Sequence, residues 1–137
     1  MDCRATLFPS VLRESLQNNI CAMPDKTEWE YAPILVYRGV KITKDKTVID
    51  RSDFLSQIER GLSKNFADIK KYSCSVFTDV DVLSDSLKLP RRNKRIAVGH
   101  MQDKDGPCYR HNDDPHIHWF LYEDADPSDG FVLMEEE

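Results

Sequence analysis

The sequence predicts a single α+β domain, with helices packed on one face of a predominantly antiparallel or mixed sheet of about five strands. Three observations predict it. A chain of 137 residues is long enough for one hydrophobic core and short for two. Helical spacing of apolar residues is confined to the first two-thirds of the chain, and strand-like runs crowd the last third. Because segregated helices and strands favour an α+β domain over alternating βα units, we treat residues 1–137 as one domain.

The first elements are a helix, a loop and a strand. A segment that begins at Ser10 and ends near Asn19 has apolar residues at helical spacing, namely Val11, Leu12, Leu16 and Ile20. The polar stretch 23–31 indicates a connecting loop. The apolar run ILVYRGV, residues 34–40, is typical of a buried strand.

The middle of the chain predicts two further helices with a strand between them. Asp50 or Ser52 can cap a helix whose apolar stripe is Phe54, Leu55, Ile58 and Leu62. A turn or short helix follows at 66–72. The run YSCSVF, residues 72–77, then alternates as a strand does, and residues 79–87 suit a helix that ends before Pro90.

The last third predicts three strands separated by loops rich in Asp, Gly and Pro: RIAVGHM, HIHWFLY and FVLME. Successive side chains of a strand point to opposite faces. We therefore expect His116 and His118 to share one face of the sheet, while Ile117 and Trp119 lie on the other.

Several observations favour a cytoplasmic protein that does not enter a membrane. No run approaches the ~18 apolar residues that a membrane span requires. Charged residues near the N-terminus interrupt any apolar region of a signal peptide. The cysteines at 3, 21, 74 and 108 are widely spaced and contain no CxxC pair, which is typical of reduced thiols.

A group of metal-binding residue types lies between positions 108 and 118. His116 and His118 form an HxH pair on one face of the predicted strand, and His111 or Cys108 could supply a third ligand from the preceding loop. Zinc with an open fourth position would activate a water molecule. If these residues bind zinc and do not have a purely structural role, the predicted function is that of a small metal-dependent hydrolase or nuclease.

A basic loop connects the predicted third helix to the following strand. Five of its eight residues are cations: Lys88, Arg91, Arg92, Lys94 and Arg95. Such a loop attracts phosphates or an acidic protein surface, in a manner that weakens with salt. The C-terminal stretch 110–137 has the opposite charge, with nine acidic residues against one arginine.

An arginine, a serine and a glutamate occur in an order that suggests a third function. Arg38 ends an apolar run, Ser75 lies in the middle strand, and Glu135 lies late in the chain. This order resembles that of the ADP-ribosyltransferases, which hold NAD with an arginine on an early strand, a serine on a middle strand and a late glutamate. The resemblance covers these roles and not the family's full motifs; it implies NAD-linked transfer of ADP-ribose.

The function that we expect first is that of a small cytoplasmic binding or accessory protein. It would bind a protein or nucleic-acid partner through its charged loops and would need no cofactor. The zinc-dependent hydrolase or nuclease is the alternative, and NAD-linked transfer around Arg38 is the third hypothesis.

Overall fold

A computed structural model describes residues 2–135 and shows one six-stranded antiparallel sheet with two α-helices. The helices are α1 (Ser10–Gln17) and α2 (Val80–Leu87). The strands are β1 (Ile34–Lys41), β2 (Cys74–Phe77), β3 (Lys94–Met101), β4 (Cys108–Tyr109), β5 (His116–Trp119) and β6 (Phe131–Leu133). Their order across the sheet is β4-β5-β2-β1-β3-β6. The predicted α+β class is confirmed, with six strands in place of about five.

The centre of the sheet is the long pairing of β1 with β3. All eight residues of each strand are paired, from Ile34 opposite Met101 to Lys41 opposite Lys94. Alternation along β1 buries Val36 and Val40 on one face. The same rule operates in β5, where Ile117 and Trp119 are buried and the histidines lie on the opposite face, as the sequence predicts.

Two clusters of buried side chains hold the fold together. The larger one covers the Val36 face of the sheet and includes Phe54 and Trp119, with Phe131 from β6. The smaller one joins α1 to the edge of the sheet through Phe8, Leu12, Leu16, Tyr72 and Phe120. Burial of such side chains contributes roughly 1.5–3 kcal/mol each to folding, which is why these apolar positions fix the positions of α1 and β5.

The helix α2 lies on the opposite face of the sheet, above β1 and β2. Asp79 caps its start by accepting hydrogen bonds from the backbone N–H of Asp81 at 2.9 Å and of Val82 at 3.3 Å. Near its end, Leu87 packs on Gly39 so closely that a Cβ at that glycine would lie 2.7 Å from the leucine Cδ1. The predicted helix over 79–87 is confirmed.

The helix predicted from Asp50 or Ser52 to Leu62 is wrong. The structure has only a 3-10 turn, Arg51–Phe54, which Asp50 caps, and the chain becomes extended at Leu55. The carbonyl oxygen of Asp53, which a continuing α-helix would offer to residue 57, accepts a hydrogen bond from Arg38 Nε at 2.9 Å. A tertiary contact thus competes with the local helical pattern.

Among residues 2–135, no helix is both long enough and apolar enough to cross a membrane. The four cysteines are free thiols, and of these Cys3 is exposed while Cys21, Cys74 and Cys108 are buried.

Candidate functional site

The candidate site lies where β1 and β2 separate. The two strands pair at Tyr37 and Phe77, and beyond that pair the guanidinium of Arg38 fills the gap. Its Nη1 donates to the backbone carbonyl of Ser75 at 2.8 Å, and its Nε donates to that of Asp53. A charged side chain therefore takes the place of ladder hydrogen bonds between the strands.

A cleft of about 250 Å³ opens beside this gap, between the sheet and α2. Its polar lining consists mainly of Arg38, Arg60, Lys94, Ser73, Ser75 and His116, and its apolar lining includes Phe77, Leu83 and Leu87. We call it the basic cleft because no acidic side chain lines it among the described residues. A smaller cavity of about 120 Å³ adjoins it and shares Gly39, Arg60 and Lys94.

Among residues 2–135, the cations of the basic cleft form no ion pair with a carboxylate. None of the ion pairs within residues 2–135 involves Arg38, Arg60 or Lys94. Burial lowers the pKa of Lys94, and the nearby guanidinium groups of Arg60, Arg38 and Arg91 lower it further, whereas the carboxylate of Asp53 raises it. Positive groups that repel one another in a partly buried site are stabilised by an anion.

The histidine pair, His116 and His118, forms one wall of this region. The two rings lie 4.4 Å apart, and His116 stacks on Phe77 at 4.7 Å between ring centroids. His118 Nδ1 is 2.9 Å from Ser73 Oγ, whose hydroxyl donates to the Lys70 carbonyl oxygen at 2.8 Å. Because the single hydroxyl proton is used in that bond, Ser73 accepts from His118, which therefore carries its proton on Nδ1.

Both histidines of the pair are neutral at pH 7. Burial, together with the neighbouring His116 and Lys70, lowers the pKa of His118 to about 4. Burial also lowers the pKa of His116, an effect that Asp114 opposes and that Lys70 and Arg38 reinforce. Neutral imidazoles can accept or donate a hydrogen bond, and they add no positive charge to the cleft.

The other two residues of the metal hypothesis lie apart from the histidine pair. His111 is exposed in a turn, with its Nε2 3.3 Å from the side-chain nitrogen of Asn112. Cys108 is buried on β4, where burial and the carboxylate of Glu28 raise the pKa of its thiol to about 12. Within residues 2–135, no three His, Cys, Asp or Glu side chains form a group that could hold a metal ion.

The basic loop is a tight turn that follows α2. Lys88 takes a left-handed conformation at φ +57° and ends the helix. Arg91 and Lys94 then pair across a turn in which Asn93 has φ +63°. This geometry directs Lys94 into the basic cleft.

The remaining arginines of the turn have different surroundings. Arg91 and Arg92 are exposed. Arg95 lies on β3 and donates to the backbone carbonyl of Met134 at 2.7 Å. The five cations predicted as one binding surface therefore divide between the cleft, the exposed turn and the edge of the sheet.

The structure brings together two of the three residues in the resemblance to ADP-ribosyltransferases. Arg38 on β1 and Ser75 on β2 are in direct contact and line the same cleft. Glu135 follows β6 and lines a different groove, which also contains Arg91 and Arg95 and shares Lys94 with the basic cleft. Comparisons of the chain with protein-family models, curated proteins and solved structures gave no match.

Two residues of the cleft escape prediction from the sequence. Arg60 lies in a segment predicted as helix, and Ser73 precedes the strand that contains Ser75. No local pattern distinguishes either one from an ordinary surface or core residue. The Ser-x-Ser spacing of residues 73 and 75 is the one signal that could have pointed to two hydroxyls near Arg38.

Proposed function

We propose that the protein binds a nucleotide with a diphosphate group, of the NAD class, in the basic cleft. The observation that carries this proposal is the meeting of Arg38 and Ser75 in a cleft whose other cations, Arg60 and Lys94, have no carboxylate partner among the described residues. The order of Arg38 and Ser75 in the chain supports NAD as the first ligand to test.

The shape and charge of the site support a diphosphate over a single small anion. Arg60 and Lys94 line both the basic cleft and the smaller cavity beside it, so anionic groups can approach them from two sides. In the smaller cavity Lys46 is already paired with Asp53 at 2.6 Å. The positive side chains available to a ligand are therefore Arg60 and Lys94, together with Arg38 in the basic cleft and Lys41 in the smaller cavity.

The apolar lining supports a ligand that also has a ring. Phe77 stacks with His116, and Leu83 and Leu87 face the same cleft from α2. Aromatic and aliphatic side chains next to cations suit a molecule that joins a flat ring system to phosphates. Nucleotides have this combination.

The proposal covers binding and not the transfer of ADP-ribose. The resemblance assigns a glutamate to hold NAD, and Glu135 lines a separate groove that shares Lys94 with the basic cleft. Among the described residues the cleft has no acidic side chain in that role.

The first prediction concerns the two uncompensated cations. Arg60→Glu and Lys94→Glu should each weaken NAD binding about ten- to hundredfold, because each loses a charge-assisted hydrogen bond of about 1.5–3 kcal/mol. Isothermal titration calorimetry with NAD, ADP and inorganic pyrophosphate measures the effect. Lys26→Glu, an equal change of charge at an exposed position in the loop 23–31, is the matched control. If the folded wild-type protein binds none of the three ligands, the proposal is wrong.

A second candidate is an anionic macromolecular partner, a protein or a nucleic acid, bound by the exposed turn. Arg91 and Arg92 favour it because both are exposed and neither takes part in an ion pair within residues 2–135. These side chains lie outside the cleft walls formed by β1 and β2, so the two functions can be separated.

The second prediction separates them by mutation. If the turn binds an anionic polymer, Arg91→Glu with Arg92→Glu should abolish salt-sensitive binding of a labelled oligonucleotide or of an acidic peptide, and should weaken NAD binding less than Lys94→Glu does, because Arg91 acts on the cleft only through the neighbouring Lys94. Fluorescence anisotropy at low and high salt measures this. Polymer binding that survives the double substitution excludes the turn as the contact surface.

A further inference from the structure

We propose that His116 contacts the ligand of the basic cleft through its Nε2 atom, and that the group it contacts is a sugar hydroxyl. This inference rests on the proposed binding of a nucleotide and names one recognition residue within that site. It assigns to His116 a role that differs from the metal ligation suggested by the sequence.

The position of the imidazole carries the argument. His116 lines the basic cleft together with Arg38 and Ser75. Its Nε2 atom has almost no accessible surface and no hydrogen-bond partner among the described residues, so a ligand reaches it only when the imidazole turns toward the cleft. A buried polar nitrogen without a partner costs about 1–3 kcal/mol, so a ligand that satisfies it gains affinity. The stack with Phe77 on one side and the ring of His118 on the other limit how far the imidazole can turn.

A hydroxyl is the ligand group that suits this nitrogen in either tautomer. A neutral imidazole presents one N–H and one bare nitrogen, and a hydroxyl can accept from the first or donate to the second. A phosphate oxygen can only accept, and it is better served by the adjacent cations Arg38, Arg60 and Lys94. In this arrangement the cations of the cleft bind the phosphates, and the imidazole of His116 binds the sugar.

His118 is a positioning residue in this arrangement. Its Nδ1–H bond to Ser73 fixes one ring, and that ring lies 4.4 Å from His116. The charged groups around the pair are Asp114 and Asp68, which favour protonation, and Lys70 and Arg38, which oppose it. The two cations help to keep the pair neutral and thus able to contact a hydroxyl without attracting the phosphates.

The test compares two ligands that differ in sugar content. His116→Phe keeps a ring that can stack on Phe77 and removes both nitrogens. We expect this substitution to weaken binding of NAD about tenfold, the effect of one lost hydrogen bond in a buried site, and to leave binding of inorganic pyrophosphate within about twofold. His100→Phe is the matched control, because His100 is exposed on the same face of the sheet and does not line the cleft.

A measurement on the unaltered protein makes the test independent of the folding of the variant. In protein with ¹⁵N-labelled histidine, NAD should shift the Nε2 resonance of His116, and pyrophosphate should shift it much less. An unchanged NAD affinity in His116→Phe, or an Nε2 resonance that NAD leaves in place, overturns the inference. An equal loss of NAD and pyrophosphate binding also overturns it, because the effect would then be general to the cleft. If the wild-type protein binds neither ligand, the proposed function itself fails.

Discussion

Arg38 is held by two backbone carbonyl oxygens, those of Ser75 and Asp53, and not by a carboxylate. These bonds use two of the five N–H donors of the guanidinium and leave its positive charge uncompensated. The arginine thus has two roles: it joins β1, β2 and the turn at residues 51–54, and it contributes charge to the cleft. An arginine paired with an acidic side chain could still join these elements, but it would contribute much less positive charge to the cleft.

The third prediction tests the structural role of this residue. Arg38→Met should lower the free energy of unfolding by about 1.5–3 kcal/mol, because two buried carbonyl oxygens lose charge-assisted hydrogen bonds. Arg38→Lys should restore little of the loss, since one ammonium cannot reproduce the forked geometry of Nε and Nη1. Urea unfolding measures both variants. Arg92→Met, at an exposed position, is the control, and an equal loss of stability in it would contradict the assignment.

At the level of secondary structure, the segment between β1 and β2 decides the shape of the site. A continuous helix over residues 54–62 would replace the extended chain at Leu55, from which the segment now runs along the cleft. Instead, the 3-10 turn is fixed by Asp53, whose side chain accepts from the backbone N–H of Lys41 and Asp50 and from Lys46. The chain then reaches Arg60 in an irregular path that places this cation on the cleft wall.

The same segment shows how far the sequence predicts the structure. Five of the six strands and α2 follow from local periodicity and capping, which residues two to four positions apart determine, whereas the two-residue strand β4 lies in a stretch predicted as a loop. The apolar stripe Phe54, Leu55, Ile58 and Leu62 obeys the helical rule equally well. In the fold this stripe is not helical, and Arg38, fifteen positions earlier, bonds the Asp53 carbonyl that a helix would use. A contact of that separation has no local signal.

The candidate site was predictable only in parts. The HxH spacing correctly places His116 and His118 on one face, and the order of Arg38 and Ser75 anticipates their meeting. The convergence of Arg60 and Lys94 depends on the path of two separate loops over the sheet, and no spacing in the sequence encodes it. For the same reason, the position of Glu135 outside the cleft is visible only in the fold.

For the whole molecule, the charge distribution and the response to pH are linked. The protein has a net charge of −5, yet its cleft is positive. Two half-buried imidazoles next to that cleft prefer the neutral form, because partial burial and nearby cations oppose their protonation. Folding therefore lowers the proton affinity of these two imidazoles.

The fourth prediction follows from this linkage. The pKa of His118 is about 4 in the folded protein against 6.5 as a reference, so between these values the unfolded chain binds more protons. Stability should be fully present above about pH 6.5 and should fall as the pH decreases towards 4, by at most about 1.4 kcal/mol per pH unit for one proton. Urea unfolding from pH 7.5 down to about 4.5 measures the slope, in a range above the ordinary titration of most carboxylates.

The control for this prediction is His118→Asn, whose side-chain amide keeps a donor near Ser73. The variant should show a shallower dependence of stability on pH than the wild-type protein. A slope equal to that of the wild type would show that other groups cause the acid sensitivity.

The attachment of Arg38 to backbone oxygens also affects which changes of sequence the cleft can tolerate. A carbonyl oxygen is present whatever side chain the residue has, so replacing the hydroxyl of Ser75 need not displace the guanidinium beside it. The path of the backbone thus determines the position of the positive charge, while the side chains around it are free to vary. A scaffold of this kind can acquire a different ligand by substitutions at the cleft wall without rebuilding its anion site.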